Sequence, residues 1–300
     1  MAEERRRYLT PATIARLSNL QLVARLVVEG ATSGQHKSPF FGFNVEFSEH
    51  RRYMPGDELR HIDWRLYAKS DKYYVKLYEE NTSLRSYVML DVSKSMTFGE
   101  GPLNKLQYGK CVAASLAYLL LHQKDSVGLA TFSNKIHELL PPSSKASHLH
   151  RMVEALDRGA GEGQTDLFTV LRELTSTLKR RALVVIISDF FDDVDKMVTA
   201  VKHLRFLKHE VILLRILSPE EIDFPYEEYS QFIDLEDGGE LLVDPRALAA
   251  EYRQRMAAHL KSFRQQLNYN RVDTELFRTD KALEETIARF LSRRARRRTA

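Results

Sequence analysis

The stretch Asp91-Val92-Ser93-Lys94-Ser95 sets one acid and two hydroxyls at alternate positions within five residues. It directly follows Tyr87 to Leu90, a short apolar segment that reads as a buried strand. In an open α/β sheet, ligands collect beyond the carboxyl ends of the strands, where alternate side chains of one loop can aim at a single point. Taken alone, the pattern equally suits a helix cap. Ser and Asp side chains accept hydrogen bonds from the first free amides of a helix.

Two other segments shift the balance from capping to binding. Gly161-Glu162-Gly163-Gln164-Thr165-Asp166 is a glycine-rich loop that opens a helix and offers the Thr165 hydroxyl. Ile186-Ile187-Ser188-Asp189 puts a second acid at the end of another apolar strand. A parallel sheet brings such loop ends together. The resulting candidate ligands are Asp91, Ser93, Ser95, Thr165 and Asp189, all oxygen donors without His or Cys. Such a set suits a hard cation: Mg²⁺ by default, because it accepts few protein ligands and keeps waters, with Mn²⁺ or Ca²⁺ as alternatives.

The elements that must position these residues follow from periodicity. Thr10-Pro11 starts a helix in which Ile14, Leu17, Leu20, Val23 and Val27 recur at helical spacing, with Gly30 as its stop and a loop over Ala31 to Phe43. Short alternating segments, Val45 to Phe47 and Tyr73 to Tyr78, flank the turn Met54-Pro55-Gly56-Asp57 and indicate a small β-containing subdomain. From Ser86 the chain alternates strands and helices. The strands are expected at 87–90, 126–132, 136–140, 183–187, 211–217 and 272–277. The helices are expected at 105–121, 146–156, 167–178, 194–207, 247–267 and 282–293, with a hairpin of Phe232 to Leu235 and Glu240 to Val243 joined by Asp237-Gly238-Gly239. Continuous β-branched runs such as Leu183 to Ile187 are those of strands buried on both faces. The expected fold is therefore α/β, a mainly parallel sheet with helices on both faces.

In this order the five candidate ligands resemble the metal-ion-dependent adhesion site of von Willebrand factor A-like domains. The resemblance implies that Ser93, Ser95 and Thr165 approach the metal directly and that Asp91 and Asp189 act partly through water. It leaves one coordination position for a partner's carboxylate. A longer ordered series narrows it: Gly42 to Phe47, Arg51 to Asp57, Arg60-His61-Ile62-Asp63-Trp64, Ala68 to Asp71 and Val75-Lys76, followed by Asp91 to Met96. Together these resemble domain-of-unknown-function family 58, over roughly residues 34 to 190. That resemblance implies a non-enzymatic adaptor or scaffold working with a MoxR-type AAA+ ATPase, or with that ATPase's client. The expected division is a helix and small β-containing subdomain over 1–85, then a von Willebrand factor A-like domain over 86–300.

Arg51, Arg52 and Arg60 alternate with Asp57 and Asp63, which suits Arg–carboxylate pairs that fix the turn. Trp64, the only tryptophan, is expected to pack at that junction. The other reading makes Arg51, Arg60 and Trp64 a partner-binding surface, because Arg and Trp favour such sites. Lys94, inside the metal loop, either screens the site or meets a partner's acid. Two rival functions remain beside the adaptor. A metal-dependent hydrolase needs a base near the ion, for which Asp91, Asp166 and Asp189 are the acids at hand, and no P-loop or nucleophile elbow is present. Nucleic-acid binding would rest on the five arginines of Arg293 to Arg298, which at a chain end read first as a solvated tail and lack interleaved aromatics. A small-molecule substrate is not expected. Neither signal peptide nor membrane-length apolar run is visible, and the lone Cys111 suits a reducing compartment as a buried thiol, so the chain reads as cytoplasmic. His148 and His150, two apart on a helix, face different directions and make a poor metal pair.

Overall fold

A computed structural model describes residues 10–15, 19–32, 47–54, 63–70, 72–78, 85–159, 163–235 and 238–299. Among the described residues two helices precede the first strand, α1 (Pro11–Ile14) and α2 (Leu20–Thr32). Thr10 caps α1 as expected, its hydroxyl accepting from the Thr13 amide. Gly30 does not end the second helix, which continues to Thr32. Leu17, most of the expected 31–43 loop, and the turn residues Pro55, Gly56 and Asp57 lie outside the described residues.

Contacts divide the chain into two units, one of 1–40 with 85–300 and the other of 41–84. This corrects the expected division at residue 85. The apolar stripe of α2, with Val23, Ala24, Val27, Val28 and Ala31 buried, belongs to the large unit. Gln21 also reaches across to His150 at 3.0 Å. An amphipathic helix goes wherever its stripe finds a face, and proximity in sequence does not decide which.

The small unit pairs β1 (Phe47–Arg52) with β2 (Tyr74–Tyr78) antiparallel around a helix, α3 (Trp64–Ser70). The sequence patterning indicated β2; the first strand, expected at Val45 to Phe47, meets the observed β1 only at Phe47, and α3 was not indicated. Asp63 heads it, accepting from the Leu66 amide at 3.1 Å. Within this unit Trp64 meets Tyr67 edge-on. Tyr67 in turn stacks on Tyr73 at 4.5 Å.

In the large unit the strands are β3 (Arg85–Asp91), β4 (Ser126–Phe132), β5 (Ile136–Ser143), β6 (Ala182–Ser188), β7 (Glu210–Leu217) and, after a separate hairpin of β8 (Ser230–Ile233) and β9 (Glu240–Val243), β10 (Asp273–Arg278). They form one sheet of order β10-β7-β6-β3-β4-β5, parallel except for β5 at one edge. The helices are α4 (Lys105–His122), α5 (His148–Arg158), α6 (Leu167–Thr177), α7 (Val194–Phe206), α8 (Pro219–Asp223), α9 (Pro245–Tyr269) and α10 (Leu283–Thr299). Leu174, Leu204, Phe263 and Leu267 from α6, α7 and α9 cover one face of the sheet at Met89, Ile186 and Leu213. On the other face α4 comes so close that a Cβ on Gly109 would lie 2.9 Å from Leu90 and 3.2 Å from Ile216. A mainly parallel sheet with helices on both faces is thus the observed fold, and it places the ends of β3 and β6 side by side, with Leu90 opposite Ile187.

One buried charge is added and one expectation about charge is corrected. Arg215, within the expected 211–217 strand, is 2% exposed. The arginine-rich end is not a free tail, because α10 extends through it. Arg294 is 3% exposed and pairs with Asp273 at 2.8 Å and with Glu210.

Candidate metal centre

Asp91 ends β3 with no exposed surface, and Ser93 is equally buried. The chain turns sharply here because the Asp91 carboxylate accepts the Ser93 amide at 2.9 Å, which folds the loop back over the strand end. That turn sets the Ser93 and Ser95 hydroxyls 3.0 Å apart. Ser95 then opens a single 3₁₀ turn, Ser95–Thr97. The second loop is tied to the first by backbone, the Lys94 amide donating to the Gly163 carbonyl at 3.1 Å. Gly163 has φ +72°, and a Cβ there would lie 3.2 Å from the Ser133 hydroxyl, so the position favours glycine. Two residues on, the Thr165 hydroxyl donates to Asp91 at 3.3 Å.

Four of the five residues expected from the sequence are therefore joined directly: Asp91, Ser93, Ser95 and Thr165. Asp189 stands at the end of β6, near enough for its charge to act on Asp91. Its Oδ2, however, is held by Lys105 Nζ at 2.7 Å. The next residue, Phe190, adopts φ +51° at 2% exposure, a costly backbone for a bulky side chain that packed surroundings must hold in place. Phe190 packs on Phe263, while Phe191 walls the cavity beside Asp189. Of the possible partner residues, Lys94 is exposed, Arg51 lies on β1, and Arg60 is outside the described residues.

Three participants were not singled out from the sequence. Ser188 donates its hydroxyl to Asp91 at 2.7 Å. Lys105, 1% exposed, bridges Asp189 and Glu221, the latter at 2.5 Å. Arg215 sends its Nε to the Asp189 carbonyl at 2.8 Å. Signals for two of them were present. Lys105 occupies the first position of α4 behind the cap Asn104, where the helix dipole disfavours a cation. Arg215 interrupts an otherwise apolar strand.

The electrostatics distinguish the two acids. Asp189 has a cation of its own. Among the described residues none pairs with Asp91, which is satisfied by hydroxyls and one amide. Burial, then repulsion from Asp189, pushes Asp91 up to about 7 against the opposing hydrogen bonds of Ser188 and Ser93. For Lys105 burial works downward, yet the Asp189 and Glu221 carboxylates outweigh it and the net shift is upward. Burial also lowers Arg215, to about 10.

The donor set consists of two carboxylates and three hydroxyls. No group of three or more His, Cys, Asp or Glu able to hold an ion occurs among the described residues. Neutral hydroxyl oxygens around one uncompensated, buried carboxylate fit a hard divalent cation, which favours oxygen ligands and supplies the missing positive charge. A cavity of about 460 Å³ opens over this point, bounded by Ser95, Thr165, Asp189 and Phe191. Asp192, Asp193 and Asp234 add negative charge to its lining. Asp166, a candidate base from the sequence, instead caps α6, and hydrogen bonding to Thr169 holds its carboxyl below the usual range.

Fold and loop chemistry together define an α/β protein with an oxygen-lined pocket at the carboxyl edge of a mainly parallel sheet. More particularly, the chain belongs to the family described as Protein of unknown function DUF58, which matches residues 49–262. Uncharacterized protein Rv1480 of Mycobacterium tuberculosis and Uncharacterized protein Mb1516 of Mycobacterium bovis are each 26% identical over 293 residues, covering 95% of this chain and 91% of theirs. Among solved structures, BatB from Bacteroides thetaiotaomicron is similar at 15% identity and a TM-score of 0.46, covering 71% of this chain and 99% of that one. The SpRpn10 VWA domain is similar at 13% identity and a TM-score of 0.44, covering 69% and 94%. Among the described residues, no helix is long and apolar enough to cross a membrane.

Proposed function

We propose that the chain is a metal-dependent protein-interaction module of the cytoplasm in which Asp91, Ser93, Ser95, Thr165 and Asp189 hold Mg²⁺. The observation that carries this reading is Asp91, a carboxylate with no exposed surface, ringed by hydroxyls and paired with no cation among the described residues. Bound there, Mg²⁺ would supply an open coordination position for a partner's carboxylate. Lys105 keeps Asp189 fixed and half neutralised, so the ion competes with an ammonium for that one ligand only.

The surroundings specify the partner further. Asp192, Asp193 and Asp234 at the pocket repel a bare acid, so the entering carboxylate should be flanked by basic residues. Beside the pocket, the hairpin of β8 and β9 leaves Ile233, Leu241 and Leu242 more than half exposed. Adjacent residues of a strand point to opposite faces, so neither face at Leu241-Leu242 is buried. An apolar contact next to the metal suits a protein partner better than a small substrate. The resemblance noted from the sequence points to a MoxR-type AAA+ ATPase or its client. A hydrolytic role has less support, because Asp166 is engaged as a helix cap and Glu221 is held by Lys105.

Titration calorimetry of the full chain against the cognate ATPase, in Mg²⁺ and in EDTA, tests the reading. Binding should require the metal, and Thr165→Ala should weaken it about tenfold, or ~1.4 kcal/mol, without unfolding the domain. Equal affinity in both buffers would remove the metal from the contact.

A further inference from the structure

Arg215 is one of the largest fully buried side chains, and its charge is not matched in the way its neighbours' charges are. Lys105 bridges two carboxylates, and Arg294 does the same. Arg215 instead donates to a backbone carbonyl at 2.8 Å and lies 2.9 Å from His259 Nε2, with its guanidinium stacked 4.6 Å from the Phe263 ring centre. Its Nη1 is buried with no partner among the described residues. Asp189 and Glu221 act on its charge from a distance while their hydrogen bonds go to Lys105, so burial still lowers Arg215, and the unused donor adds to the cost.

The same arginine lines a second cavity, of about 540 Å³, between α9 and β10. Lys261 and Arg264 also line it, both exposed, and neither forms an ion pair among the described residues. The acid in this lining, Glu275, is already engaged by Arg289 and Arg293. Phe263 and Leu276 contribute apolar wall. Volume, a mostly apolar wall and a few convergent charges are the attributes of a small-molecule pocket. It lies apart from the acidic cavity over Asp91, whose lining does not include Arg215.

We propose that this cavity binds a small organic anion, a phosphate or carboxylate on an apolar body, with Arg215, Lys261 and Arg264 as its counter-charges. Arginine presents a fork of donors matched to either oxyanion, and the unused Nη1 leaves part of that fork for a ligand. The proposal does not depend on the metal reading, since no residue of the metal set lines this cavity.

Calorimetry of the full chain with phenyl phosphate, benzoate and the neutral benzyl alcohol tests it. Saturable binding of one or both anions and none of benzyl alcohol is expected. The Lys261→Ala/Arg264→Ala double variant, altered only at exposed positions, should bind roughly tenfold more weakly, in line with the loss of two charge-assisted contacts. Arg215→Lys, which retains the charge and loses the fork, should bind more weakly and still fold. Preference for phenyl phosphate would assign the oxyanion as phosphate, and preference for benzoate as carboxylate. Absence of saturable anion binding at millimolar concentration, or equal binding by wild type and double variant, would overturn the proposal.

Discussion

Asp91 is the residue on which the chemistry turns, and its protonation has a sign that can be checked. The carboxyl is raised from 3.8 to about 7, by burial first and by Asp189 second. In the unfolded chain an aspartate titrates near ~4. Between those values the folded, metal-free protein holds a proton that the unfolded chain has released. The stability tied to Asp91 is therefore complete at the acid end and is lost as pH rises through that window. Binding of the proposed Mg²⁺ would run the other way, because a cation would take the carboxylate and displace the proton. Mg²⁺ affinity should rise by roughly tenfold per pH unit up to about 7 and level off above it. Thermal unfolding in Mg²⁺ and in EDTA, followed from mildly acid to mildly alkaline pH, measures both trends. A metal-induced shift of the same size at every pH would show that Asp91 is not a ligand.

At the scale of elements, the last helix changes the meaning of its own charges. Five arginines in six positions look like a solvated terminus in a linear reading. As part of α10, Arg293 and Arg294 lie against β10. Arg294 meets Asp273 and Glu210, while Arg293 meets Glu275 and the Thr274 carbonyl. Arg294→Met should cost about 1–3 kcal/mol, less than the 3–5 kcal/mol of breaking a fully buried pair, because both acids keep contact with water. Chemical denaturation measures this directly, and an unchanged midpoint would return Arg294 to the status of a solvated side chain. The α4 cap works by the same coupling of element and charge. Asn104 and Gln107 form a reciprocal capping box, which fixes the helix start and delivers Lys105 to Asp189.

At the scale of the molecule, the large unit is assembled from both sides of the 41–84 insertion. α2 buries its stripe within that unit, so the sheet domain depends on residues that precede the insertion. Replacing 41–84 by a flexible linker should leave a cooperative unfolding transition and an intact response to Mg²⁺. Removing 1–32 should expose the apolar surface that α2 covers and abolish that transition. Circular dichroism melts of the two deletions separate these outcomes. If the insertion proves essential for folding and the first 32 residues do not, the division by contacts is wrong.

The sheet and its order of elements were legible in the sequence because both rest on local periodicity. Strands from Arg85 to Arg278 fall close to their expected positions, and Asp91 and Asp189 could be placed at strand ends from the apolar runs before them. Parallel strands with short following loops then bring Ser93, Ser95 and Asp189 to one edge with little further information, whereas Thr165 arrives from the loop between α5 and α6, held there by the Lys94 amide on the Gly163 carbonyl. The small unit was only half legible: β2 alternates visibly, while β1 is mostly polar and charged and the seven-residue α3 is too short for a helical stripe to stand out. Partner choice over long separations was decided by the tertiary structure alone. Lys105 and Asp189 are 84 positions apart and Lys105 and Glu221 are 116 apart, so no window of sequence contains either pair. Which unit receives α2 and which arginines find acids are likewise properties of the assembled structure. Periodicity says that a side chain has a buried or an exposed face; only packing supplies what lies against it.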